Sequence, residues 1–210
     1  MMKHDIDKVI QRTHRYWYED GLNEIAAGCM FVLCGLFLFI IRFVRPISPL
    51  ACVVAIGLVI LVSFGGLAAS RAVKAVKNRI TYPRTGYVSY RRPEGNRRRR
   101  LIVAGLGVAL GALGIALSIA GAPTWLVSMP MVHGLIIGAC LLYLGHRLGL
   151  ARFYVLALVS VLVGVVAALG GFDDALGSAA YFGEMGFVLT ASGLFTLRAY
   201  LRQTQPPIEE

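Results

Sequence analysis

Apolar runs of about 20 residues recur along this chain, and a run of that length, wound as a helix, matches the hydrocarbon thickness of a bilayer. The apolar residues gather into these runs instead of spreading at helical or strand period, so the charged outer faces of a soluble domain are missing from most of the sequence. With 57% hydrophobic and 15% charged residues over 210 positions, and mean hydropathy +0.70, the composition is that of a polytopic membrane protein.

Six spans are expected, at about Glu24–Ile41, Pro49–Ala69, Leu101–Ala120, Leu126–Leu144, Phe153–Phe172 and Ser178–Leu197. The fold class is therefore an all-α integral membrane protein of six transmembrane helices, arranged as three parallel helical hairpins. Its segments are an amphipathic cytoplasmic N-terminus (1–23), a first hairpin (24–70), a basic cytoplasmic loop (71–100), a second hairpin (101–150), a third hairpin (151–202) and a tail (203–210). In the N-terminal segment Ile6, Val9, Ile10, Thr13 and Trp17 recur at intervals of three and four, which predicts a short surface-lying helix. After the second span, Arg71, Lys74 and Lys77 imply that its helix continues beyond the lipid. The stretch from Ile80 to Tyr90 reads as two short strands around the turn Pro83-Arg84-Thr85-Gly86.

Orientation follows from lysine and arginine. Nineteen of the 21 fall in alternate segments, and only Arg42 and Arg45 fall in the others. The positive-inside rule then places both termini and the basic loop in the cytoplasm of a cell whose inner membrane holds the chain. The first 24 residues are polar and no cleavage site follows the first run, so that run is expected to remain as an anchor.

The stretch Gly57-Leu58-Val59-Ile60-Leu61-Val62-Ser63 returns as Gly134 to Cys140 and as Gly186 to Ser192. A shift of 77 residues lays the first hairpin on the second, matching Gly28 with Gly105, Pro46 with Pro123 and Gly57 with Gly134. A shift of 52 lays the second on the third, matching Arg100 with Arg152 and Gly134 with Gly186. The basic loop then reads as an insertion between equivalent hairpins. Gly107 and Gly111, and Gly134 and Gly138, have GxxxG spacing, which allows close backbone approach where lipid offers little drive for helices to associate. These pairs are expected to pack the bundle internally.

The glycines Gly28, Gly35, Gly57, Gly105, Gly134, Gly164 and Gly186, with Pro46 and Pro123 at the outer turns, give a pattern that resembles the HdeD-like short-repeat membrane proteins of bacteria. The resemblance covers approximately Asn23 to Arg202. It departs from the pattern at Ala175, where the other copies have proline, and in the length of the basic loop. It implies a six-span inner-membrane protein associated with acid or envelope stress and without an established catalytic site.

Glu184 is the acidic residue that stands inside an apolar run, where an ionised carboxyl is costly and marks a functional candidate. His133 falls at nearly the same depth, and the two form a candidate intramembrane polar pair able to titrate near neutral pH. A scaffold or stress-associated role is the first reading, and a small proton-linked transporter or channel using this pair is the alternative. Catalysis is not expected, because the sequence holds no nucleophile elbow, zinc-binding HExxH, paired acid/base carboxylates in a span, or phosphate-binding glycine loop. No cofactor or metal is expected. Cys29, Cys34, Cys52 and Cys140 all lie in apolar runs, and the closest two are about 140° apart around a helix.

The charge of +10 and the tyrosines Tyr82, Tyr87 and Tyr90 superficially match a nucleic-acid surface. Against the cytoplasmic leaflet, anionic lipid headgroups are the nearer partner, at about 1 kcal/mol per basic residue. Arg71, Lys74, Lys77, Arg84, Arg91, Arg92, Arg97, Arg98, Arg99 and Arg100 are the candidate contacts. A homo-oligomer, a membrane-protein partner or an acidic protein partner is left open.

Overall fold

The computed structural model describes residues 18–44, 48–80 and 128–203. The N-terminal surface helix, the turn around residues 83–86, the span at 101–120, Gly107 and Gly111, and the arginines Arg84, Arg91, Arg92 and Arg97 to Arg100 lie outside the described residues.

Among the described residues the chain forms five helices and no strand: α1 Leu22–Phe43, α2 Pro49–Ile80, α3 Met129–Leu148, α4 Ala151–Leu169 and α5 Asp174–Gln203. In lipid the backbone must satisfy its own hydrogen bonds within each spanning segment, and a helix does so. The first four are long and apolar enough to cross a membrane. At 1.5 Å per residue, the 32 residues of α2 span about 48 Å and outreach a ~30 Å hydrocarbon core, as Arg71, Lys74 and Lys77 imply. Ile80 ends this helix and does not begin a strand, so at that residue the strand expectation is corrected: helical hydrogen bonding simply continues through the polar turn. The last helix, α5, is 30 residues long but less apolar, because glycine, alanine and serine occupy its packing faces and Glu184 interrupts its middle.

That low apolarity matches the position of α5, which packs against α1, α3 and α4. Tyr181 and Met185 of α5 are completely buried, and they join Phe153, Leu156 and Ala157 of α4 and Leu141 of α3 in the core. Large apolar residues elsewhere face outward, including Val53, Phe64, Val155 and Phe195. Such exposure is expected of a surface whose solvent is lipid.

Two antiparallel seams hold the helices. On α1 and α5, Gly21, Gly28 and Gly35 recur every seven residues opposite Gly193, Gly186 and Ala179. Seven residues is within about 20° of two full helical turns, so each set lies on one stripe. The backbones approach so closely that a methyl group at Gly28 would fall 2.7 Å from the Gly186 carbonyl oxygen. On α3 and α4, Gly134 meets Gly164, and a methyl group on either would come within 3.1 Å of the other's Cα. Gly138 packs on Val161 and Ala157 of the same neighbour, so this GxxxG pair packs the bundle internally, as its spacing predicts.

Short turns close both ends. Gly149, with φ 65°, ends α3 and returns its amide to the Gly145 carbonyl at 2.9 Å, a left-handed cap that favours glycine. At the opposite end Asp173 caps α5 by accepting the Leu176 amide at 2.8 Å, and the Arg42 guanidinium at the end of α1 pairs with the same carboxylate. The Leu176 amide first, and then Arg42, hold the Asp173 carboxyl below the usual carboxylate range. A depressed folded-state value stabilises the fold above the ordinary carboxylate pKa, and that contribution is lost as pH falls through the lower one. Asp173→Asn, which retains capping capacity, is therefore expected to be less stable than wild type at neutral pH. The thermal-unfolding difference should disappear at pH values below the ordinary carboxylate range.

Candidate functional site

The charged residues nearest the core come from the ends of three helices, α1, α2 and α4, and meet at one end of the bundle. Asp20 precedes the turn residue Gly21, whose φ of 71° starts α1. The Asp20 Oδ1 accepts the Leu22 amide at 3.3 Å, and its Oδ2 lies 2.8 Å from the Lys77 Nζ of α2. Both side chains are only 2% exposed. Lys77 stands in the last turn of α2, where the helix dipole favours a cation. This corrects the expectation that Lys77 contacts anionic lipid: the helical turn points its ammonium inward to a carboxylate from a residue 57 positions earlier. Arg71 and Lys74, by contrast, are exposed.

One turn into α1, Glu24 is also buried. Its Oε1 forms an ion pair with the Arg152 Nε at 2.8 Å, without the alignment of a directed hydrogen bond, and its Oε2 accepts the Ser192 hydroxyl at 2.9 Å. Arg152 opens α4 and uses its other nitrogens as well. One donates to Thr196 Oγ1 at 3.1 Å, and another donates to the Tyr18 carbonyl. Ser192 and Thr196 are four residues apart on α5, and Thr196 donates its own hydroxyl to the Ser192 carbonyl at 2.9 Å. Tyr18 meets Phe153 edge-on, with ring centroids 6.1 Å apart, next to the Arg152 guanidinium. The result is a four-charge cluster, with Asp20, Glu24 and Lys77 buried and Arg152 partly exposed, that fastens the ends of α1, α2 and α4 to one another and to α5.

A second polar node lies further along the interior. The hydroxyls of Ser160 on α4 and Tyr181 on α5 lie 2.8 Å apart, and their two protons serve three contacts, this one and those to the Gly134 carbonyl at 3.1 Å and the His133 carbonyl at 3.3 Å. Such hydroxyl contacts join helices where lipid provides no competing donors. The His133 ring lies 5.9 Å from Tyr181 in a stacked arrangement and 4.8 Å from Phe182, and its Nδ1 has no hydrogen-bond partner among the described residues.

The two residues singled out in the spans are not joined by a hydrogen bond. Glu184 is exposed on α5, while Met185, about 100° further around the helix, takes the fully buried position. Nothing in the sequence singles out Asp20, Ser160, Tyr181 or the Ser192 hydroxyl as interior polar partners, and Glu24 and Arg152 stand out only as a span boundary and a repeat match. The available signal was charge at span ends: Glu24 and Arg152 flank apolar runs, so they read as boundary markers and not as partners.

Comparison with protein-family models, with curated proteins and with solved structures returned no match.

Proposed function

We propose that this chain is a six-span, non-enzymatic membrane scaffold made of three hairpins, with both termini in the cytoplasm. The single observation that carries the scaffold reading is the pairing of interior charges with one another. Asp20 with Lys77 and Glu24 with Arg152 hold the ends of three helices together, and glycine fills the α1–α5 and α3–α4 seams. Such an interior favours one fixed arrangement of helices over alternating ones. The repeat gains support from Gly134 and Gly186, matched by the shift of 52, since each lies on a seam against another hairpin's first helix. Gly57 differs, resting on Phe37 of its own hairpin.

Orientation draws on the same geometry. Arg71, Lys74, Lys77, Arg147, Arg152, Arg198 and Arg202 all stand at the end of the bundle that holds the ionic cluster, and Arg42 stands at the other. The positive-inside rule makes the cluster end cytoplasmic. A periplasmic-reporter fusion at residue 85 is expected to be inactive, and an active fusion would reverse the orientation. An association with acid or envelope stress rests on the resemblance to the HdeD group.

Proton-linked transport through His133 and Glu184 is the competing reading, and flux separates the two. Vesicles containing the purified protein are expected to hold an imposed pH gradient as long as empty vesicles do. Faster decay that Glu184→Gln abolishes would replace the scaffold with a transporter.

A further inference from the structure

Along the line where α1 meets α5, towards the Arg42 end, the surface opens into an apolar groove of about 370 Å³. That volume falls within the ~300–1,000 Å³ of small-ligand sites. Val32, Leu36, Phe39 and Leu176 wall it, and its floor is the close approach of the buried Gly35 to Gly183 where the two helices meet. From Val32 to Phe39 the groove follows about 10 Å of helix rise. Its chemistry is that of a slot for a hydrocarbon chain.

The charged end of the groove narrows the choice of occupant. Arg42 follows Phe39 by three residues, on the same helical face, and Asp173 precedes Leu176 by three at the start of α5. Arg42 gives its Nε to Asp173, and its terminal nitrogens have no partner among the described residues. The two side chains remain 51% and 45% exposed. A phosphate could take the free guanidinium nitrogens, a geometry that arginine favours, while the exposed carboxylate offers a place for an ammonium. Asp174 adds a second negative charge nearby, its Oδ1 accepting the Met129 amide at 3.1 Å. Among the described residues a purely anionic headgroup would meet two carboxylates for one arginine, whereas a zwitterionic headgroup matches both signs.

We propose that this groove binds one zwitterionic aminophospholipid, with an acyl chain over Gly35 and Gly183, the phosphate on Arg42 and the ammonium on Asp173. The inference rests on membrane placement and not on the scaffold role, so it and the flux experiment fail independently.

Gly183 makes the test clean, because a Cβ added there meets no atom within 4 Å among the described residues and so points away from the seam. Gly183→Leu therefore fills the groove without touching the seam. Full-length protein in detergent would be titrated with phosphatidylethanolamine or phosphatidylglycerol and read by native mass spectrometry. The expected result is one retained phosphatidylethanolamine, with phosphatidylglycerol held about tenfold more weakly. Gly183→Leu and Arg42→Gln should each lose about tenfold in retention, with the lipid-free unfolding temperature of Gly183→Leu unchanged. Equal or tighter retention of phosphatidylglycerol, or undiminished retention by Gly183→Leu, would overturn the proposal. So would disulfide capture of Gly183→Cys by a second copy or by a cysteine placed in the chain's own segment 101–120, since either occupant would fill the groove instead.

Discussion

Lys77→Met is expected to destabilise the protein by about 3–5 kcal/mol, because it strips the counter-charge from a carboxylate that has almost no access to water. Asp20→Asn should cost a similar amount from the other side of the pair. The double variant should be much less destabilised than the sum of the two, since removing both charges also removes the burden of keeping them out of water. Unfolding of the four proteins in detergent, combined as a double-mutant cycle, measures that coupling. Additive losses would show that the 2.8 Å contact between Asp20 and Lys77 carries little of the stability. Exposed Lys74 supplies the control: Lys74→Met is expected to fall within about 0.5 kcal/mol of wild type.

Gly28→Ala is the second large expected effect. A single methyl group there would press on the Gly186 carbonyl oxygen and the Thr190 amide nitrogen, each 2.7 Å away. The Thr190 hydroxyl, nearer still, can rotate away, but the α5 backbone cannot, so the two helices must separate along the seam. A cost at or above the upper end of the ~1–3 kcal/mol range for overpacking follows. Gly66→Ala is the matched substitution in open space, since no atom lies within 4 Å of its added methyl. It should be neutral or stabilising by up to about 1 kcal/mol through helix propensity. Gly65→Ala should fall between them, as its nearest neighbours are the Sδ and Cε of Met30, which can rotate away. Denaturation of the three variants side by side gives the ranking, and equal losses at Gly28 and Gly66 would remove the seam argument.

Both effects concern residues that the sequence displays without explaining. Gly28, Gly35 and Gly186 are visible as recurrent glycines, and their place in the repeat can be read by sliding the chain on itself. That Gly28 faces Gly186, 158 positions away, cannot be read in this way, because the seven-residue spacing fixes a stripe on each helix and says nothing of which stripes meet. Lys77 shows the same limit in electrostatic terms. Its place after an apolar run predicts a headgroup contact, and only the approach of the α1 turn supplies Asp20 and reverses that expectation. Glu184 illustrates the opposite case. Its charge in an apolar run draws attention, yet the rotation of α5 turns it to the surface and gives the interior to Tyr181 and Met185.

The sequence by itself determined the membrane class, the helical character, the extension of α2 beyond the lipid and the positions of the described spans to within a few residues. It could do so because these depend on local hydropathy and on backbone hydrogen bonds that close within each segment. Tertiary structure alone decided which glycines touch, which charges are buried in pairs and which face of α5 is central. Those outcomes depend on contacts between residues far apart in the chain, such as 30 positions for Gly134 with Gly164 and 168 for Glu24 with Ser192, and no local pattern specifies them.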